Sequence, residues 1–433
     1  MENSTLTAIL FVLFFGMVFL GVPIAFSLAL AGLIVAVLAG VSWTMMVQQL
    51  YAGIDSFSLL SIPLFILAGE LMGTGGITER LVSFSRALVG HVRGGLGHVT
   101  VMAEMLLSGI SGSGTSDAAA LGGIMIPAMV KEGYPAKVAA AINAASTTMG
   151  PIIPPSIMMI VYGAYGNVSI GALFLGGALP GLVVGIAQMI TIYFYARLGL
   201  TGQVQSRFSP RAVVHEGMRS SLALIVPIII IGGIVAGLFT ATEAAMVASV
   251  YCLFLSVLVY KEIKVRDLPA IFKGSAVTSS HPLLCVAGAG VFGWMLAYLQ
   301  VPGMVAELAS GITGNSILTL LFVALLFTIL GTFMDSIPAI IIFLPIVSVL
   351  GEVAKVNPIH MGVVVTTVLS FGLMTPPYGL TLLLSADLAK VKVEQVMGVL
   401  LPFYISLIIT ILLLIFNPDL ALFLPRLLMH VGG

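Results

Sequence analysis

Ser111-Gly-Ser-Gly-Thr-Ser-Asp117 and, further on, Gly150-Pro-Ile-Ile-Pro-Pro155 decide how this chain folds. The first is a polar knot carrying an acid between two apolar runs. The second is a point where a helix cannot continue, because proline lacks the amide donor and its ring clashes with the preceding turn. Both return in altered form. An apolar run over 318–330 leads into Gly331-Thr-Phe-Met-Asp335, and Gly372-Leu-Met-Thr-Pro-Pro377 follows. In each half an X-Pro lies ten residues past the acid, Asp117 to Pro127 and Asp335 to Pro345. The Pro-Pro pair stands four and five residues past its glycine both times, with a hydroxyl, Thr148 or Ser370, two residues before that glycine. The offsets are 218 from Asp117 to Asp335 and 222 from Pro154 to Pro376. Two coupled matches in register indicate an internal repeat.

Composition sets the solvent. Of 433 residues 59% are hydrophobic and 8% charged, against roughly a quarter charged in soluble domains. Seventeen basic and 17 acidic side chains cannot keep a soluble surface of this size in water. Apolar runs long enough to cross a bilayer follow one another almost continuously, so the chain is an all-α polytopic membrane protein. The zero formal charge gives no pointer to nucleic acid, and Cys252 and Cys285 both sit in apolar segments, against a disulfide framework. The first apolar run lacks a basic start and a small-residue cleavage site, so it reads as a retained span.

Around the repeat the rest falls into place. Residues 6–38 are apolar, interrupted at Gly21-Val-Pro23, and form one long bent helix or two short ones. Residues 77–92 place Glu79, Arg80, Arg86 and His91 among apolar residues at helical spacing, which suits an amphipathic helix at the membrane surface. The runs 98–110 and 118–130, each too short to span, meet at the Gly/Ser tip as a re-entrant hairpin. A half-helix over 137–149 ends at Gly150-Pro151 and resumes at 157–165. The first repeat is thus 1–200: scaffold and arm helices 1–93, hairpin 94–130, broken helix 137–165, span 170–198. A linker over 201–220, carrying Arg207, Arg211, His215 and Arg219, is cytoplasmic by the positive-inside rule. The second repeat is 221–433: scaffold and arm helices 221–300, hairpin 312–350, broken helix 358–386, last span 394–417.

Broken helices leave carbonyls and amides at membrane depth, tolerable only where they line a wet cavity or bind something. Free carbonyls and helix C-termini favour a bare cation, and helix N-termini favour a carboxylate. The first half offers Ser111, Ser113, Thr115, Asn143 and the carbonyls of 150–153, Gly150 and Ile153 among them; the second offers Gly331, Thr332, Thr366, Thr367 and the carbonyls of 372–375, from Gly372 to Thr375. Substrate would lie between the two sets, against Ser113, Gly114, Thr115, Asp117, Pro154, Pro155, Asp335, Thr375 and Pro376. This arrangement describes a secondary transporter. A lone Gly-Ser tract is more often close helix packing, and a lone Pro-Pro a kink. An acid in the membrane is costlier, and Asp117 and Asp335 either touch ligand or cap the helix that follows.

Asp117-Ala-Ala-Ala-Leu, Ile126-Pro, Gly150-Pro-Ile-Ile-Pro-Pro-Ser156 and Gly372-Leu-Met-Thr-Pro-Pro377 closely resemble the large membrane subunit of tripartite ATP-independent periplasmic (TRAP) transporters, across essentially the whole chain. The resemblance implies an inverted-repeat fold in the bacterial inner membrane, with an elevator-type motion. It implies Na⁺ as coupling ion, held at hairpin tips and Gly/Pro-Pro breaks, which carries over to the residues named above. It implies import of an organic acid (C4-dicarboxylate, keto acid, sugar acid or sialic acid) delivered by a periplasmic binding protein. A small four-helix membrane subunit is the expected partner, as a separate chain because no room for it remains here. Asn143 departs from the repeat: the equivalent offset holds Val365.

Three rivals use the same residues. A proton-coupled carrier would employ Asp117, Asp335, Glu70 or Glu243 as relay acids. An intramembrane serine protease would use Ser111, in Gly109-Ile-Ser111-Gly112, with His281 as base. A passive channel would need no paired re-entrant tips.

Overall fold

A computed structural model describes residues 2–202, 207–310 and 315–431. The described chain is all helical. Its first half comprises α1 (Asn3–Phe19), α2 (Ile24–Leu38), α3 (Trp43–Ile54), α4 (Ser61–Thr74), α5 (Ile77–Val89), α6 (Gly95–Ser111), α7 (Gly114–Lys131), α8 (Ala136–Ser146), α9 (Ile157–Gly166) and α10 (Ile170–Arg197). The second comprises α11 (Pro210–Val235), α12 (Ala241–Phe254), α13 (Leu268–Tyr298), α14 (Val301–Ser310), α15 (Ser316–Phe333), α16 (Ser336–Val353), α17 (Pro358–Leu373), α18 (Leu380–Leu388), α19 (Val393–Phe416) and α20 (Asp419–Met429). Among the described residues eight helices are long and apolar enough to cross a membrane.

Local chemistry sets the boundaries. Gly21 at φ +84° separates α1 from α2, so the first apolar run is two helices. α5 buries Ile77, Leu81 and Ser85. Its other side holds Arg80, whose guanidinium lies 3.6 Å from the centre of the Tyr260 ring. The linker over 201–220 is corrected by the structure: Ser209 caps a helix whose first residue is Pro210, and that helix continues into the membrane as α11. The basic residues Arg211 and Arg219 therefore ride on the polar end of a spanning helix. Of the linker, 203–206 lie outside the described residues, as do 312–314 at the start of the second hairpin.

The halves interleave. α13, the long helix before the second hairpin, packs along α2 and α3, while α4, before the first hairpin, packs along α12. Likewise α9 leans on α16 and α18 on α7. Each half thus packs against its counterpart's elements. Along α12 and the turn that continues it, a polar ladder at seven-residue spacing bonds α4 and the 3₁₀ turn before it (Phe57–Leu60). Thr242 donates to the Phe57 carbonyl at 2.8 Å, Ser249 to Leu64 at 2.6 Å and Ser256 to Leu71 at 3.2 Å. Burial of apolar surface gives little preference for helix over lipid, so such bonds and close packing hold the pair.

Each rung contributes about 0.6 kcal/mol, the typical value for interhelical bonds in membranes. The triple variant Thr242→Val/Ser249→Ala/Ser256→Ala is expected to lose about 2 kcal/mol on that basis. Thermal unfolding in detergent should show a clear drop for the triple variant and about a third of it for Ser249→Ala.

Candidate functional site

The first hairpin is α6 and α7. Gly112 ends α6 in the left-handed region at φ +64°, where glycine carries no steric cost. Ser113 is the N-cap of α7, its Oγ accepting from the Ser116 amide at 3.5 Å and sharing hydrogen bonds with the hydroxyls of Thr115 (3.3 Å) and Ser116 (3.2 Å). Asp117 is therefore not the cap. It is buried, accepts a 2.6 Å hydrogen bond from Ser111 Oγ, and lies beside the Glu104 carboxyl of α6. The acid braces the two limbs from inside. With its hydroxyl committed to Asp117, Ser111 is not set up as a nucleophile for His281. In the second hairpin, α15 and α16, Asp335 is the cap and accepts from the Ser336 amide at 2.7 Å.

Each tip touches its own half's break. After α8 a 3₁₀ turn (Thr147–Met149) leads into non-helical backbone over 150–156, and Ser156 caps α9, accepting from the Met159 amide at 3.2 Å. A methyl group on Gly150 would sit 2.6 Å from the Gly114 amide nitrogen. The Gly112 carbonyl accepts from the Ile157 amide at 3.3 Å. In the second half a methyl on Gly372 would overlap the Gly331 carbonyl, and Thr332 accepts from the Tyr378 amide at 3.0 Å. Pro154-Pro155 and Pro376-Pro377 are both cis.

Between the two tips lies a cavity of about 290 Å³. Of the residues anticipated for substrate, Ser113, Gly114, Thr115 and Asp335 line it. Asp117 faces into the hairpin instead. Pro154, Pro155, Thr375 and Pro376 are off the wall; Pro151, Leu373 and Tyr378 represent the two breaks there. The Thr375 hydroxyl donates to the Phe371 carbonyl at 2.7 Å. The first turns of α7 and α16 both face the cavity, placing helix N-termini where a carboxylate is favoured. Sequence reasoning missed Thr278 and Pro282 of α13, which line the same space, and saw His281 only as a rival's base. The signal for them was a His-Pro step inside an apolar helix.

The anticipated cation ligands divide by what already bonds them. Asn143 donates through Nδ2 to the Ala118 carbonyl at 3.1 Å and Ser385 Oγ at 2.9 Å, leaving Oδ1 buried and without a partner. Thr367 Oγ1 is likewise buried and unpartnered, whereas Thr366 Oγ1 donates to Gly362 at 2.9 Å. A buried polar atom left unpaired costs about 1–3 kcal/mol, so Asn143 Oδ1 and Thr367 Oγ1 gain most from an ion, while the donating Thr366 hydroxyl keeps its lone pairs. Two further residues hold the breaks and gave no sequence signal. Gln188 of α10 donates to the Ala145 carbonyl at 2.8 Å, and Thr381 of α18 donates to Leu373 at 2.9 Å and Ala144 at 3.2 Å.

Paired hairpin tips and broken helices around one cavity, in a chain of spanning helices, define a polytopic membrane transporter. Residues 11–420 match the family described as "Tripartite ATP-independent periplasmic transporter, DctM component", and the chain belongs to that family. It is a transport permease of the bacterial inner membrane, not an enzyme, in a family that works with a small membrane subunit and a periplasmic binding protein. It is similar to the sialic acid TRAP transporter large permease protein SiaM of Vibrio cholerae, 38% identical over 96% of this chain and 98% of that one. It is also similar to the C4-dicarboxylate TRAP transporter large permease protein DctM of Pseudomonas aeruginosa, 35% identical over 87% and 88%. Among solved structures, the YdaH transporter of Alcanivorax borkumensis shares the fold, with a TM-score of 0.59 and 14% identity over 86% of this chain and 87% of that one.

The contact of Gly372 with Gly331 leaves no room for a side chain, whereas a methyl on Gly123 of α7 meets nothing within 4 Å. Gly372→Ala should cut transport by about 10-fold or more and lower the melting temperature, the cost of overpacking being about 1–3 kcal/mol. Gly123→Ala should match the wild type in both measurements.

Proposed function

We propose that this chain is the large subunit of a Na⁺-coupled secondary active importer of organic acids. The observation that carries the reading is the pairing, in both halves, of a hairpin tip with a broken helix around one cavity, together with the buried, unpartnered Asn143 Oδ1 and Thr367 Oγ1 on the two broken helices. Neutral oxygens and freed carbonyls suit Na⁺; the helix N-termini of α7 and α16 suit a carboxylate between the ions. Ion binding that draws the tips onto the breaks would complete the substrate site, giving coupling without a covalent step. Residues 1–200 and 221–433 act as inverted repeats, and the two hairpins with their broken helices move as one body against the remaining helices, an elevator-type alternation.

Substrate arrives from a periplasmic binding protein, and a small four-helix membrane subunit packs beside the scaffold. The relatives named for sialic acid and for C4-dicarboxylates support a substrate among small organic acids.

The test is reconstitution in proteoliposomes with the small subunit and candidate binding proteins, comparing uptake with and without an inward Na⁺ gradient. Accumulation should require Na⁺. Asn143→Leu and Thr367→Val should each raise the Na⁺ concentration for half-maximal uptake by about 10-fold, the loss of one neutral oxygen ligand at about 1.4 kcal/mol. Uptake insensitive to Na⁺ and abolished by a protonophore would replace Na⁺ by H⁺ as the coupling ion.

A further inference from the structure

The cavity between the hairpin tips has polar side chains in two different states. On the hairpin side the hydroxyls of Ser113, Thr115 and Ser116 bond one another, and Asp335 bonds the Ser336 amide. Thr278 and His281 of α13 and Tyr378 of the second break line the same space, and none of their side chains makes a hydrogen bond to another described residue. Thr278 and His281 are three residues apart and share a face of α13. Pro282 follows directly, and its missing amide is the one that would have bonded the Thr278 carbonyl. Two hydroxyls and an imidazole thus line the cavity with unused bonding capacity, and the Thr278 carbonyl lacks its usual helical donor.

The charges add a second constraint. Among the described residues no Lys or Arg lines this space, and its carboxyl is Asp335. A substrate carboxylate therefore finds neutral donors and helix N-termini rather than a guanidinium. A second carboxylate would meet Asp335, and the one imidazole near that acid, His281, is needed by the first carboxylate; like charges in a confined, low-dielectric space repel strongly. Hydroxyl groups meet the opposite situation, since each can donate to the remaining Asp335 oxygen or to the Thr278 carbonyl.

We infer that Thr278, His281 and Tyr378 form the specificity wall of the transport site, with His281 donating a ring N–H to the substrate's single carboxylate, and that the chain selects hydroxylated monocarboxylates, the sugar acids, over C4-dicarboxylates. The inference rests on the cavity being the transport site. His281 is a binding residue in this account: it touches substrate and takes no part in ion coupling.

The test uses the full chain in lipid nanodiscs containing Na⁺, with N-acetylneuraminate and D-gluconate as hydroxylated monocarboxylates and succinate as the dicarboxylate. Affinity is read by calorimetry and Na⁺ half-saturation by thermal stabilisation. At least one sugar acid should bind more tightly than succinate. His281→Leu should weaken that binding by about 10-fold or more, as loss of a hydrogen bond to a charged group does. His281→Gln, which keeps an N–H donor, should stay within about 3-fold. Na⁺ half-saturation should be unchanged in both variants, which also shows that they fold. Succinate binding as tightly as either sugar acid, His281→Leu binding like the wild type, or no binding of any probe by the wild type would each overturn the inference. Uptake by the wild type in proteoliposomes separates the two readings. Na⁺-driven succinate uptake without sugar-acid uptake would sink the specificity and leave the transporter standing. Absence of Na⁺-driven uptake with every binding protein would sink the coupling itself.

Discussion

A peptide group that has left its helix cannot rest against hydrocarbon, because nothing there replaces the lost hydrogen bond. Every distinctive feature of this chain follows from where such groups have been put. The backbone over 150–156 and its counterpart before α18 leave the helical ladder at membrane depth, and each is roofed by the tip of its own half's hairpin. The contacts are backbone to backbone: Gly112 accepts from Ile157, and Thr332 from Tyr378. Glycines at 114, 150, 331 and 372 let the main chains come that close. The cavity lies between the two tips and is lined by parts of both breaks, so the same constraint that shapes the fold also delimits the site.

The interleaving of the halves gives this arrangement a frame. α13 lies on α2 and α3, and α4 on α12. The Thr242, Ser249 and Ser256 ladder fixes the second of these pairs in register by bonding backbone carbonyls of the first half. A frame held by many modest bonds, with hairpins packed through small residues, is suited to one part sliding against the other. Residues that join the halves near the site, Asn143 to Ser385 and Thr381 to Ala144, lie inside the moving body proposed here and would travel with it.

Much of this was legible in the sequence, for a physical reason. Hairpin tips and breaks need Gly, Pro and short polar side chains in an order that apolar helices do not otherwise produce, so Ser111 to Asp117 and Gly150 to Pro155 announced themselves. What each acid does was not legible. Asp335 caps a helix while Asp117 turns inward to Ser111 and Glu104, a difference set by neighbouring limbs rather than by spacing. The beginning of α11 was hidden because its first turns are polar, and polarity in a linker position reads as loop. Gln188, Thr278 and Tyr378 escaped because their partners or cavity come from elements far away in sequence. The seven-residue spacing of Thr242, Ser249 and Ser256 was visible, but their acceptors are main-chain carbonyls, which leave no mark in a sequence.

The central claim is that the hairpin tip at Ser113 lines a cavity that opens alternately to the two sides of the membrane. Labelling of a Ser113→Cys variant by a membrane-impermeant maleimide tests it most directly, with the buried Cys252 and Cys285 replaced by alanine. Right-side-out and inside-out vesicles give access to each face in turn. The account predicts labelling from both faces, with Na⁺ and substrate shifting the balance between them. Labelling from one face alone under every condition, or from neither, would contradict it.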